Sequence, residues 1–341
     1  MRFGKIDTLI LFGGGQRLVN FISCAKEYKN FKIIVLSAQR LLQSKLTNGT
    51  KNLKDHLAKN KIKYFEIEDI AKFNIGRFIN ENALGISFGA PWLFSNTFVE
   101  KFNGRLINGH GMNLPRNRGG GGFSWQIMRG EKIGCHLFHL INKGIDTGNI
   151  IFFDRFVFPK SCRIPKEYQE FYEKTEVPFF RKFLKKLLSD TDFKEIVQDG
   201  RISSYFPRLS TVHHGFINWN WKAIDIEKFI CAFDLPYPAA STFIDGKRVF
   251  LRGAKKYVAD GRFHPFMNGL IYRKTKGTLF ISVSDGAIAI REVYGESRNN
   301  IFGKIRVGHR FITPTKFLDE ALLFHAAYDT KGLKIKGKTK G

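Results

Sequence analysis

The chain has 341 residues, a length that predicts two domains or one large domain with an appendage. At 43% hydrophobic and 25% charged it carries enough apolar material to bury a core, which excludes a disordered or fibrous class. No run of about 18 apolar residues occurs, so neither a transmembrane helix nor stable membrane insertion is expected. The net charge of +26 points either to a polyanion (tRNA, a nucleotide, an anionic membrane surface) or to a Lys-rich composition spread over solvated faces.

The first apolar run, Leu9–Phe12, is too short for a signal peptide and reads as a strand. Cys24, Cys135, Cys162 and Cys231 form no CxxC pair and read as reduced thiols of a cytoplasmic protein. Gly13, Gly14 and Gly15 turn the strand into a helix in which Leu18, Phe21, Ile22 and Ala25 share one face. This unit is Rossmann-like. The dinucleotide fingerprint, however, needs a glycine three residues after Gly15, and Leu18 stands there, so no NAD or FAD is predicted. The glycines suit a substrate phosphate or simply make the turn. Further strands are predicted at 32–36, 63–67 and 83–88, with helices at 52–60 and 94–102. Such alternation means a mostly parallel sheet with ligands at the carboxyl ends of its strands.

At one such end, Asn108 and His110 are two residues apart and project from one side of the strand that starts at Leu106. Arg118 and Gly119 to Gly122 then form an anion-friendly loop ahead of a helix beginning at Phe123. An apolar segment, 134–141, leads to Gly144-Ile145-Asp146-Thr147-Gly148, a carboxylate in a glycine-flanked turn. Singly, these are ordinary loop residues. Together, an amide donor, an imidazole and a carboxylate are what acyl transfer needs to hold an oxyanion and move protons. No His/Cys cluster has zinc-ligand spacing, and His136 and His139 are read as flanking a strand. A serine hydrolase is disfavoured because no Gly-x-Ser-x-Gly elbow precedes a helix. A strand at 150–156, a helix at 165–188, an irregular linker at 203–212 and a helix at 225–233 follow. Asp245-Gly246 and Asp285-Gly286 mark hairpins, and the tail from Lys331, without acids, is expected to fray.

The combination Asn108-Gly109-His110, Leu114-Pro115, Arg118-Gly119 and Asp146-Thr147-Gly148 resembles the 10-formyltetrahydrofolate-dependent formyltransferases. That family includes the glycinamide ribonucleotide, methionyl-tRNA and sugar-nucleotide enzymes. The likeness continues through Asn218-Trp219 and Pro236-Tyr237-Pro238-Ala239-Ala240 to about Lys256. It implies an α/β fold, a Rossmann-like and mostly parallel sheet, with a small C-terminal OB-like β-barrel domain. The expected divisions are a catalytic domain at 1–207, a linker with a helix at 208–240, the OB-like domain at 241–325 and a basic tail at 326–341.

The resemblance implies N-formyl transfer with Asn108, His110 and Asp146 as catalytic residues. Phe88, Gly89, Ala90, Pro91 and Trp92, with Gly144, Ile145 and Asp146, would line the folate slot. Gly13, Gly14, Gly15, Met112, Arg118, Gly119, Gly120 and Gly121 would face the acceptor. The co-substrate would be 10-formyltetrahydrofolate, with no metal and no NAD. A nucleotide-linked amino sugar for surface glycan synthesis is the favoured acceptor, because Ser37 to Lys45 lacks the basic Pro-Ala-Gly-Arg-Gly-Lys insertion of the tRNA enzymes. A methionyl-tRNA formyltransferase and a non-catalytic RNA-binding module on the same fold are the alternatives. A homodimer is compatible with all three.

Overall fold

Short, almost wholly buried apolar runs build the central sheet. Its strands are β1 (Thr8–Gly13), β2 (Lys32–Ser37), β3 (Lys63–Glu66), β4 (Ala83–Phe88), β5 (Leu106–His110), β6 (Ile133–Leu140) and β7 (Ile150–Val157). In this computed structural model, which describes residues 1–47 and 52–334, their order is β3-β2-β1-β4-β5-β6-β7. The first five are parallel, as the strand–helix alternation predicts, and β6 and β7 add antiparallel edges. Strand order reverses direction between β1 and β4, which opens a crevice at the carboxyl ends of the strands.

Helices α1 (Gly15–Tyr28) and α2 (Pro165–Leu188) cover one face. Their apolar stripes meet the sheet in a phenylalanine-rich core, where Phe21 lies 5.1 Å from Phe88 and 5.2 Å from Phe180. Phe88 is therefore a core side chain, where a place in the wall of a ligand slot was expected. As the last residue of β4 it alternates inward toward the helices.

The C-terminal half is antiparallel. Strands β8 (Ala240–Ile244), β9 (Lys247–Arg252) and β14 (Glu292–Tyr294) form one sheet. The other runs β10 (Lys255–Tyr257), β13 (Gly286–Ile290), β12 (Leu279–Val283), β11 (Ile271–Lys274). Both pack, OB-like, around one aliphatic core with helix α3 (Ala223–Ala232), and that core also takes in Ile127, Tyr168 and Tyr172. Asp245 and Gly246 have φ of 48° and 73°, the paired left-handed residues of a two-residue hairpin. The second hairpin turns one residue earlier than expected. Gly286 pairs with Val283, and the freed Asp285 carboxylate accepts from Ala223 N at 2.7 Å, capping α3.

The tail also differs from expectation. Ala327–Asp329 (β15) and Gly332–Lys334 (β16) form a hairpin, held by Leu93 N donating to Asp329 O at 3.0 Å and Ile70 N to Thr330 O at 2.9 Å. Asp329 supplies the acid that the stretch from Lys331 lacks, pairing with Lys334. The remainder of the expected tail, 335–341, lies outside the described residues. All four cysteines are buried and free. Among the described residues no helix is long and apolar enough to cross a membrane.

Candidate active site

Strand β5 carries Asn108 and His110 on the same side, as their spacing requires. The antiparallel register of β6 sets His139 directly opposite Asn108. The loop between β6 and β7 folds back to deliver Asp146, whose φ of 52° is a left-handed conformation that Asp tolerates better than most residues. This loop closes only with glycine at 148, where a Cβ would lie 1.8 Å from Leu140 O. Asn142 Oδ1 braces it, accepting from Gly144 N at 3.1 Å and Thr147 Oγ1 at 2.6 Å.

Three side chains and one backbone N–H surround the Asp146 carboxylate. Gly119 N donates to Oδ2 at 2.8 Å, and His110 Nδ1 stands 3.7 Å from the same oxygen. Oδ1 faces His139 Nε2 at 3.4 Å and Asn108 Nδ2 at 3.5 Å. The hydrogen bonds determine the tautomers. His110 Nε2 lies 2.8 Å from the Asn117 carbonyl, which only accepts, so Nε2 carries the hydrogen and Nδ1 the lone pair. His139 Nδ1 lies 2.8 Å from the Leu140 carbonyl, so neutral His139 presents Nε2 as an acceptor. The group of Asn108 that faces it at 3.1 Å is therefore the NH2.

Burial lowers the His110 pKa below its ordinary 6.5, and the nearby Asp146 only partly offsets this, so the ring is a neutral base at pH 7. For Asp146, burial alone would push the pKa up. The charged forms of the His110 and His139 rings, together with the Gly119 N–H, outweigh burial and hold the carboxyl well below the usual range. A neutral imidazole thus stands beside a fixed carboxylate that stabilises it once protonated.

A second buried layer supports this one. Arg17 of α1 pairs with Glu176 of α2 at 2.6 Å and donates from Nη1 to Gly109 O at 3.2 Å, the carbonyl between Asn108 and His110. Burial pushes the Glu176 carboxyl up, and Arg17 offsets part of that.

These groups open into a cavity of about 450 Å³. Asn108, His110 and Asp146 line it with Gly89, Ala90, Pro91, Trp92, Gly144, Ile145, Gly119 and Gly120. Six other expected positions, besides the core residue Phe88, do not line it. At Gly13 a Cβ would lie 2.2 Å from Phe88 O, and at Gly14 3.0 Å from both Leu41 and Leu53, so these glycines serve strand and helix packing. Gly15, at the first turn of α1, has φ +80° and serves the strand–helix turn. Met112 is buried. Gly121 packs on Trp125 and the Pro207 carbonyl. Arg118 acts through Gln198. Its guanidinium donates to Gln198 Oε1 at 3.1 and 3.0 Å, and Gln198 Nε2 donates to Asp146 O and Gly148 O.

Several lining residues went unpredicted: Arg17, His139, Tyr205, Arg208 and Tyr328. His139 had a signal in its distance of seven residues from Asp146, but only strand register shows what it faces. His136, an odd number of residues away, points to the other face, where burial pushes its pKa down to about 3. His110, His139 and Asp146 offer ligand atoms within 4.8 Å of one another. The hydrogens of Asn108 Nδ2 and Gly119 N already point at two of those atoms, which opposes a cation there.

The cavity also fits a flat heteroaromatic ligand. The buried Trp92 indole nitrogen has no partner among the described residues, and Leu93 and Ile145 present exposed apolar edges beside it.

Residues 210–304 match the family described as Formyl transferase, C-terminal domain. The methionyl-tRNA formyltransferase of Acetivibrio thermocellus is 26% identical over 208 residues, covering 60% of this chain and 64% of that protein. This chain thus spans just under two thirds of that relative's length. The Streptococcus agalactiae enzyme of the same name is 28% identical over 246 residues, covering 67% of this chain and 73% of its own. Among solved structures, the N-formyltransferase from Helicobacter canadensis, in complex with folinic acid and dTDP-3-aminofucose, has TM-score 0.63 at 21% identity and covers 85% of this chain and 100% of that one. A sugar 3N-formyl transferase solved with dTDP and 5-N-formyl-THF has TM-score 0.61 at 22% identity, covering 84% and 97%. At those identities the structures establish the shared fold. The chain thus shares the fold of these solved N-formyltransferases, and residues 210–304 carry the likeness of a formyl transferase C-terminal domain.

Proposed function

We propose that the chain transfers a formyl group from 10-formyltetrahydrofolate to the amine of a nucleotide-linked amino sugar. The observation that carries this is the lone pair of His110 Nδ1, 3.7 Å from the Asp146 carboxylate and on the same strand face as the Asn108 amide. The folate supplies the formyl carbon. The Asn108 NH2 hydrogen that now reaches Asp146 only at 3.5 Å turns to the charge developing on the formyl oxygen. The amine nitrogen bonds to the formyl carbon while His110 Nδ1 takes its proton and Asp146 stabilises the imidazolium that results; as the tetrahedral intermediate collapses, the bond from N10 to the formyl carbon breaks and the imidazolium returns that proton to N10 of the departing tetrahydrofolate. His139, by accepting from Asn108, orients that amide. Trp92 N–H and the 89–91 and 144–145 backbone hold the flat end of the donor.

The sugar acceptor is favoured by the absence of a basic insertion after β2 and by a cavity walled by Tyr205, Arg208 and Tyr328. Methionyl-tRNA is the second reading, favoured by the +26 charge and by the sequence relatives. Purified protein with 10-formyltetrahydrofolate is offered methionyl-tRNA and a panel of UDP- and dTDP-linked amino sugars. Formylation of a sugar is expected, with a modest change in its KM between about 50 and 200 mM salt, a range over which a multi-contact polyanion loses orders of magnitude. Formylation of tRNA alone would sink the sugar reading.

A further inference from the structure

The segment from Ala90 to Phe94 is neither helix nor strand, and every one of its residues lines the cavity. A loop without internal hydrogen bonds takes its shape from what packs on it. From below, the buried Trp92 side chain sits in an apolar cluster with Ile70 and Phe98. Among the described residues, the one backbone–backbone hydrogen bond of this segment goes to the far end of the chain, where Leu93 N donates to Asp329 O at 3.0 Å.

Asp329 belongs to the β15–β16 hairpin, which lies beyond the residues matched by the C-terminal domain family, ending at 304. The hairpin touches the same loop twice more. Ile70 N, beside Trp92 in the apolar cluster, donates to Thr330 O at 2.9 Å. Gly332 lies flat against Pro91. A Cβ added there would come 3.4 Å from Pro91 O and 3.5 Å from Pro91 Cβ, at a φ of +106° that side chains disfavour. The Asp329 carboxylate holds the turn, accepting from Lys331 N at 2.8 Å and pairing with Lys334. The approach to the hairpin is fixed as well, because the Phe324 ring stacks on His213 of the linker at 4.0 Å. An ordered loop binds a ligand more tightly than one that must be ordered in the act of binding.

We propose that the β15–β16 hairpin is a positioning element for the donor slot: it holds the Ala90–Phe94 loop in place before the folate arrives, so that the C-terminal extension of the chain sets donor affinity. The role rests on the formyl-transfer reading, which lays the flat end of the folate against this loop. The docking of the hairpin on the loop does not. Asp329 and Gly332 act through Leu93 and Pro91 and need touch no ligand themselves.

Calorimetry with 5-formyltetrahydrofolate and amide hydrogen exchange, both on the full chain, test this. In the wild type the Leu93 and Ile70 amides should exchange slowly. Gly332→Val, which pushes the hairpin off Pro91, and Asp329→Ala, which opens its turn, should speed exchange at both amides. Each should weaken the folate about threefold to tenfold, the scale of one lost hydrogen bond. Asp329→Asn keeps an oxygen for Lys331 N and should restore most of the affinity. The melting temperature of all three should stay near that of the wild type. Wild-type folate affinity in Gly332→Val and Asp329→Ala would overturn the proposal. So would a loss that Asp329→Asn does not restore, or one that merely follows the melting temperature. If the wild type binds no 5-formyltetrahydrofolate while both amides exchange slowly, the hairpin is docked as described, and the formyl-transfer reading and the donor role fall together.

Discussion

At the carboxyl end of β5, Asn108, His110 and His139 each lie within hydrogen-bond or ion-pair reach of Asp146, and Asp146 and His110 bias one another's charge. In the C-terminal β unit the cations are arranged differently. Arg273 lies over Phe280 at 4.0 Å, Arg298 over Phe250 at 4.0 Å and Arg248 over Phe216 at 4.4 Å, above an aliphatic core. Buried titratable groups are costly, and here they gather where a ligand can use them. Those stacked arginines instead cover apolar rings, each a small local gain. Part of the +26 charge is thus structural trimming.

The largest expected effects would break the first half of this comparison. Asn108→Ala, His110→Ala and Asp146→Ala should each fold and lose on the order of a hundredfold to a thousandfold in turnover. The triple variant should be little worse than the worst single, since groups acting as a unit lose activity non-additively. Losses that multiply in rapid-quench kinetics would mean that the three groups do not act as one site. The pH profile sharpens this. Activity needs neutral His110, so the rate should rise with pH through a limb below 6.5 and stay flat through neutrality. A limb above 6.5 would show that Asp146 outweighs burial.

Next in size is the support beneath β5. Arg17→Met strands the buried Glu176 carboxyl and should cost about 3–5 kcal/mol in urea unfolding. Arg17→Met with Glu176→Leu should recover most of that stability but not the turnover, because the bond to Gly109 O stays lost. Full recovery of turnover would confine the pair to stability.

Phe88 and Trp92 separate core from site. Phe88→Ala should lose about 3–5 kcal/mol. Trp92→Phe should instead weaken 5-formyltetrahydrofolate by calorimetry while barely moving the melting temperature. The reverse pattern would return Phe88 to the folate slot. Smallest of all, Arg273→Ala should cost about 0.5–1 kcal/mol and leave turnover unchanged. A loss of activity there would join the two regions that the comparison separates.

Local sequence determined the elements and the polar triad. The helix at Pro165–Leu188 and the strand at Ala83–Phe88 have the predicted bounds, because their periodicity, caps and burial agree within a few residues of chain. The i, i+2 spacing of Asn108 and His110, and an Asp in a glycine turn, are equally local. Long-range pairing decided the rest. Register turned His139 from a strand-flanking residue into the partner of Asn108, and inward alternation took Phe88 out of the cavity. Arg17 reaches Glu176 across 159 residues, and Tyr328 reaches the cavity from the opposite end of the chain. Neither contact leaves a local pattern, because a side chain buried between helices or seated by a docked hairpin is selected by its distant partners and not by its neighbours in sequence.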